Sequence, residues 1–163
     1  MSDVKVRSAQ TTDLPVILKY IHDLAIYEKA PNEVKLTAKD LEESLFGKNP
    51  QVYCLISELD GKATGFAVWH LNYSTWLGRH GIYLEDLYID PNFRGLGHGK
   101  ALLQRLAQIC IERGYQRLQW WVLDWNESAI EFYRSIGAEP MDQWTVFRVS
   151  GSSLEKLATE GIK

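Results

Sequence analysis

The sequence is poor in the residues that build disulfide frameworks and metal sites: 163 residues hold two cysteines and four histidines. Cys54 falls in an expected strand and Cys110 on the apolar face of an expected helix, positions that suit buried thiols rather than a disulfide framework. The histidines, at 22, 70, 80 and 98, are scattered without ligand spacing, so no metal is expected. Long apolar runs are absent, which excludes a membrane-spanning helix, and the start, Met1-Ser2-Asp3-Val4-Lys5-Val6-Arg7, lacks an apolar signal core. Basic runs are absent too, and a net charge of −3 argues against non-specific nucleic-acid binding. No repeat, low-complexity stretch or linker interrupts the chain. The expectation is one domain over residues 1–163, cytoplasmic and off the membrane, burying roughly two-thirds of its unfolded surface.

What is present is an ordinary globular composition, 45% hydrophobic and 24% charged, with six Trp and eight Tyr. Val4–Arg7 alternates as a short strand. Thr12 or Asp13 can cap a helix carrying Leu14, Ile17, Leu18, Ile21, Leu24 and Ala25 at helical spacing, with Pro15 tolerated in its first turn. Thr37-Ala38-Lys39-Asp40 resembles a capping box with Asp in place of Glu, opening a short helix that ends at Gly47. Strands over 52–58 and 64–71 are joined by the hairpin signal Asp60-Gly61. Further on come a strand over 82–89, a helix over 97–113 closed by Gly114, and a strand over 117–123. A helix over 128–136 that Asn126 can cap, a strand over 144–149 and a short helix from Ser153 finish the chain.

Between the strand ending at Ile89 and the helix bearing Leu102, Leu103, Leu106, Ala107 and Cys110 lies Arg94-Gly95-Leu96-Gly97-His98-Gly99. A strand that feeds a helix through closely spaced glycines leaves the first backbone N–H groups of the helix unshielded, and the helix dipole adds positive potential there. Such a turn suits phosphate or pyrophosphate. Two familiar loops are excluded by spacing. Counting from Gly95, the sixth position is Lys100 rather than the glycine of a dinucleotide fingerprint. Gly99-Lys100 is followed by Ala101, so the P-loop hydroxyl is missing. What stands, Arg94-x-x-Gly97-x-Gly99, resembles the pyrophosphate signature of the GNAT acetyltransferase superfamily. The order β-α-α-β-β-β-α-β-α-β-α suits a mixed α/β sheet and resembles that superfamily element by element. The resemblance implies an α/β fold whose central, mostly antiparallel sheet is splayed between strands four and five and flanked by helices.

Three segments resemble, more closely, the diamine (spermidine/spermine) and thialysine acetyltransferases: Leu24 to Glu28, Tyr83 to Tyr88, and Asp124 to Tyr133. The resemblance implies acetyl-CoA as co-substrate and direct attack by a small amine in a ternary complex. It places the pantetheine arm along the backbone of Leu87, Tyr88 and Ile89, and the pyrophosphate at Arg94, Gly95, Leu96, Gly97, His98, Gly99 and Lys100. Asn126, Ser128 and Tyr133 complete the cofactor contacts, with Asn126 also able to serve as an N-cap. Acceptor contacts fall at Tyr27, Glu28, Glu85, Gln119, Trp120, Trp121 and Asp142, with Glu33 a further acidic candidate. It also implies a homodimer, with Trp144 and Phe147 either at its interface or packed within one chain. His98 stands where the family carries an apolar residue and is expected to face solvent, able to add a phosphate contact when protonated.

Acetyl transfer from a thioester to an amine poses two proton problems. An alkylammonium holds its proton up to a pKa of about 10.4, and the leaving thiolate belongs to a thiol near about 8.5. Glu85, on the strand amid Tyr83, Leu84 and Leu87, is placed to take or orient the amine proton; the alternative is a solvent-facing or Arg-paired glutamate. Tyr133 is placed to protonate the sulfur; the alternative is a core tyrosine beside Ile130 and Ile136. The stretch after Gly137 lacks the family's paired acidic residues and leaves Asp142 alone, which weakens the case for a long polyamine and leaves room for thialysine, a lysine-like amino acid or another small amine. Acetylation of a protein N-terminus or lysine, and a non-catalytic acetyl-CoA-binding module, remain alternatives.

Overall fold

A computed structural model describes residues 4–160; Met1–Asp3, part of the stretch read for a signal core, and residues 161–163 lie outside it. The chain divides between Leu123 and Asp124 into two compact units.

The first unit carries β1 (Lys5–Ser8), α1 (Leu14–Tyr27), α2 (Ala38–Phe46), β2 (Val52–Leu59), β3 (Lys62–Ser74), β4 (Arg79–Ile89), α3 (His98–Arg113) and β5 (Leu118–Gln119). The strands lie in sequence order in one sheet. The first three pairings are antiparallel and β4–β5 is parallel. Asp60 and Gly61 take positive φ, 49° and 77°, at the tight turn that joins β2 to β3, as an Asp-Gly hairpin requires. The β4–β5 pairing covers only Ile82 with Leu118 and Tyr83 with Gln119. Beyond Tyr83 the two strands part, so the sheet is splayed between its fourth and fifth strands.

Alternation along the strands divides the core. On one face Ile17 and Tyr20 of α1 and Leu41 and Leu45 of α2 pack on Cys54, Ile56, Phe66, Val68 and Tyr88. The phenol of Tyr20 donates to the Ala63 carbonyl at 3.0 Å. On the other face α3 packs against β2, β3 and β4 with Leu102, Leu103, Leu106, Ile109 and Cys110 buried. Both cysteines are free thiols, as expected, and burial pushes the Cys54 thiol up.

The α2 capping box is formed: Thr37 Oγ1 accepts from the Asp40 N–H at 3.2 Å, and the Asp40 carboxylate accepts from the Thr37 N–H at 2.9 Å. Neither expected residue caps α1 through its side chain. A 3₁₀ turn over Thr11–Asp13 precedes it, and the buried Asp13 carboxylate instead accepts two bonds from Arg7, 2.7 and 2.9 Å, and one from the Gln10 N–H. Arg7 also donates to Glu58 at 2.8 Å, which ties β1, β2 and the entry to α1 together.

The second unit carries α4 (Glu127–Ser135) and α5 (Gly151–Thr159). Asn126 caps α4 as expected, its Oδ1 accepting from the Ala129 N–H at 3.4 Å. Two expected strands are corrected. Residues 144–149 form no strand, because no neighbouring strand among the described residues supplies their ladder bonds, and α5 begins at Gly151. The strand expected over 117–123 is reduced to Leu118–Gln119.

Candidate active site

The pairing of β3 with β4 slips by one residue at the centre of the sheet. Val68 stands opposite Asp86 and Trp69 opposite Leu84, leaving Glu85 as an extra residue in β4. An extra residue of this kind bends the strand and re-aims the side chains beyond it. Tyr83 and Glu85 share a face by alternation, and Asp86 and Tyr88, which would otherwise point away, are thrown onto that same face with Val68 and α1. The bend also explains why β5 leaves β4 at Tyr83.

Two adjacent carboxylates thereby meet on the α1 side. Glu85 is largely exposed, and its Oε2 lies 3.6 Å from Nε2 of His70. That corrects the picture of Glu85 enclosed by apolar neighbours. The more enclosed carboxylate is Asp86, whose pKa is pushed up to about 7, first by burial and then by the negative charges of Glu85 and Glu28. Burial also raises Glu28, at the cap of α1. Sequence reasoning misses Asp86 because strict alternation puts neighbours in a strand on opposite faces, and a bulge leaves no mark in Leu-Glu-Asp-Leu. The only available signal is the adjacent acid pair itself.

The glycine turn follows β4 directly. Asp90, Asn92 and a 3₁₀ turn over Pro91–Phe93 lead to Arg94. Gly95 and Gly97 then take φ of 76° and 89°, values that side-chain-bearing residues rarely adopt. Gly97 caps α3 without a side-chain bond, and the first intrahelical bond runs from the Ala101 N–H to the Gly97 carbonyl. The N–H groups of His98, Gly99 and Lys100 therefore sit in the first turn, where α3 provides no acceptor. Beside them, the β4 edge over Leu87, Tyr88 and Ile89 has no strand partner on the β5 side among the described residues. An extended amide-bearing arm can pair along that edge, and an anion can seat on the turn.

Arg94 links this turn to the end of α1. Its Nε donates to the Ile89 carbonyl at 3.0 Å, and its guanidinium carbon lies 5.0 Å from the Tyr27 ring centre and 5.5 Å from that of Tyr88. On the far side of β4, Gln119 accepts from Asn72 at 3.0 Å, and Trp121, exposed, meets the Tyr83 ring edge-on at 5.7 Å. Trp120 is half-buried, and Glu33 lies exposed beyond α1. In the second unit Tyr133 is half-buried in α4, Ser128 Oγ donates to Asn126 Oδ1 at 3.4 Å, and Asp142 is exposed.

His98 overturns its expected orientation. Its side chain is 1% exposed, points inward from the first turn of α3, and bonds Thr64 Oγ1 through Nδ1 at 2.7 Å. Burial holds the imidazole below its ordinary pKa. Its side chain is spoken for inside the fold, and only its backbone belongs to the glycine turn.

Comparison with known proteins agrees with this geometry. The profile of the Acetyltransferase (GNAT) family matches residues 19–138. Thialysine N-epsilon-acetyltransferase of Sus scrofa is 35% identical over 97% of the chain and 99% of its own length. Spermidine/spermine N(1)-acetyltransferase-like protein 1 of Homo sapiens is 37% identical over 98% of the chain, which spans 24% of that longer protein. Among solved structures, an integron cassette protein from the mobile metagenome of V. cholerae superposes with a TM-score of 0.80 at 27% identity, covering 98% of this chain and 99% of its own. A splayed sheet, a glycine turn at its fourth strand and near full-length relatives that move acetyl groups onto amines have one common reading: the chain belongs to the GNAT acetyltransferase family and is an acetyl-transfer enzyme.

Proposed function

We propose that the enzyme moves the acetyl group of acetyl-CoA onto a primary amine of a small cationic acceptor, a diamine, a polyamine or a thialysine-like amino acid, by direct attack in a ternary complex. The observation that carries this reading is the gathering of Glu85, Asp86 and Glu28 on the α1 side of β4, next to the open strand edge and the glycine turn. Three carboxylates in a partly desolvated site favour a substrate that brings positive charge. The thialysine acetyltransferase of Sus scrofa supports the same acceptor class.

The residues present fit acetyl-CoA. The positive-φ glycines keep side chains off the turn, and the unpaired edge of Leu87 to Ile89 can take the pantetheine amides. We assign the pyrophosphate to the backbone from Arg94 to Lys100, and, on the family resemblance alone, further cofactor contacts to Asn126 and Ser128. When bound, the thioester supplies an acetyl group activated toward nitrogen. On the same resemblance, Tyr27, Glu28, Gln119, Trp120, Trp121 and Asp142 are assigned to the acceptor. Asp86, with its pKa near neutrality, accepts the proton that leaves the amine nitrogen, and Glu85 holds the ammonium in place. The Tyr133 phenol donates a proton to the departing sulfur. We read both units as one acetyltransferase domain over 1–163, working as a cytoplasmic homodimer.

The test is free-thiol release from acetyl-CoA against spermidine, spermine, putrescine, thialysine, lysine and a short peptide. Preferential turnover of a small di- or polyamine or of thialysine is expected; turnover of the peptide alone overturns the acceptor assignment.

A further inference from the structure

Three fully buried polar side chains run in a line beneath the glycine turn. Ser57 Oγ on β2 lies 3.0 Å from Thr64 Oγ1 on β3, and Thr64 Oγ1 lies 2.7 Å from His98 Nδ1 in the first turn of α3. A hydroxyl has one proton to give, so the chain has two concerted settings. Either Ser57 donates to Thr64 and Thr64 to the imidazole, or Nδ1–H donates to Thr64 and Thr64 to Ser57. Both settings satisfy Thr64 and Nδ1.

Thr64 holds the turn at both ends. Its hydroxyl meets His98, where the turn becomes helix, and its carbonyl accepts from the Asp90 N–H at 2.9 Å, where β4 becomes turn. Between those points the Phe93 ring rests edge-on against the His98 imidazole at 5.6 Å. Close approach is built in. A Cβ on Gly65 would stand 2.6 Å from the Tyr88 carbonyl oxygen and 3.0 Å from Ser57 Oγ, and Gly99 lies over Ile89. Bonds buried this deeply are stronger than the same bonds in water, and a partner left unpaired there is costly.

We propose that His98 is a positioning residue: clamped by Thr64, it fixes the backbone N–H groups of residues 96–100 in the arrangement that receives the pyrophosphate of acetyl-CoA. This rests on the acetyl-CoA reading above. The side chain touches no ligand; it removes the freedom that the turn's glycines would otherwise confer, so that binding does not have to order the turn.

The experiment measures acetyl-CoA affinity by calorimetry, and KM and kcat for acetyl-CoA and for S-acetyl-pantetheine, which has no pyrophosphate. His98→Leu and Thr64→Val are each expected to weaken acetyl-CoA binding about tenfold and to move kcat far less. The double variant is expected to be no worse than either single one. The KM for S-acetyl-pantetheine stays in place. His98→Asn, which can present an amide atom where Nδ1 sits, restores most of the affinity, a rescue that packing alone does not give. Should His98→Leu not fold, Thr64→Val and His98→Asn carry the same comparison. Unchanged acetyl-CoA affinity in the folded variants, additive losses, or equal losses with S-acetyl-pantetheine overturn the proposal. Wild type that binds no acetyl-CoA overturns the cofactor reading instead.

Discussion

The guanidinium of Arg94 lies over the ring of Tyr27, 5.0 Å from its centre, so that one cation joins the glycine turn to the end of α1. The turn is assigned to the cofactor, and the end of α1, with Glu28 at its cap, to the acceptor. On that assignment, a contact between them is expected to couple the two ligands. Cation–π contacts of this kind are worth about 0.5–1 kcal/mol each at exposed sites. Arg94→Ala should therefore raise the KM for acetyl-CoA and for the amine together, each by roughly 5-fold. Two-substrate steady-state kinetics checks this; a change confined to acetyl-CoA would show that the contact carries no coupling.

Asp86 gives the enzyme its expected pH dependence. The carboxylate has to be ionised to accept a proton, so kcat/KM should rise with pH through about 7, the value to which burial and the charges of Glu85 and Glu28 push it. Asp86→Asn should lower kcat/KM by about 10²-fold or more and abolish that rise. A pH–rate profile of both proteins with one amine decides it.

The same residue has the opposite effect on stability. Its folded pKa lies above its unfolded value of about 3.9, so its contribution is fully present below that value and is lost as pH rises through about 7. Asp86→Asn is expected to be more stable than wild type at pH 8, by about 2 kcal/mol, and to lose that advantage near pH 4. Denaturant titrations at the two pH values provide the measurement.

Tyr133→Phe keeps the ring and removes the proton. Turnover should fall by about 10²-fold while acetyl-CoA affinity holds. Equal turnover in variant and wild type removes the assignment.

Asp13 behaves in the reverse sense to Asp86. Its paired bonds from Arg7 hold its carboxyl below the usual carboxylate range. That stability is present above the unfolded value of about 3.9 and is lost as pH falls through the lower, folded value. Asp13→Asn should cost about 2 kcal/mol at pH 7, read by urea denaturation, with the gap to wild type closing in acid.

Much of the molecule is legible in its residues, and the failures share a cause. The α2 cap, the Asp60-Gly61 hairpin, the glycine turn and the buried thiols are set by contacts a few residues apart or by a simple period, so local chemistry decides them. The unread features depend on what stands across the sheet. Nothing in Gly97-His98-Gly99 announces that the imidazole turns inward, because the reason is Thr64, 34 positions away. The pattern Trp144-Thr145-Val146-Phe147-Arg148-Val149 looks like a strand, but a strand also needs a neighbour. Glu85 is legible as a candidate; Asp86 is not, since its face is set by the slip against Val68 and Trp69.

That slip acts on the strand as a frameshift acts on a message. Every residue of β4 after Glu85 is read in the opposite phase from those before it, which is how Tyr88 comes to lie against Tyr20, their ring centres 5.4 Å apart. Substitutions in Leu84-Glu85-Asp86 change single side chains. Deleting one of the three would restore even pairing and keep Tyr88 opposite Phe66 in the α1 core, but would leave a single acid on that face where two now meet. In this strand, length carries information that no single residue identity does.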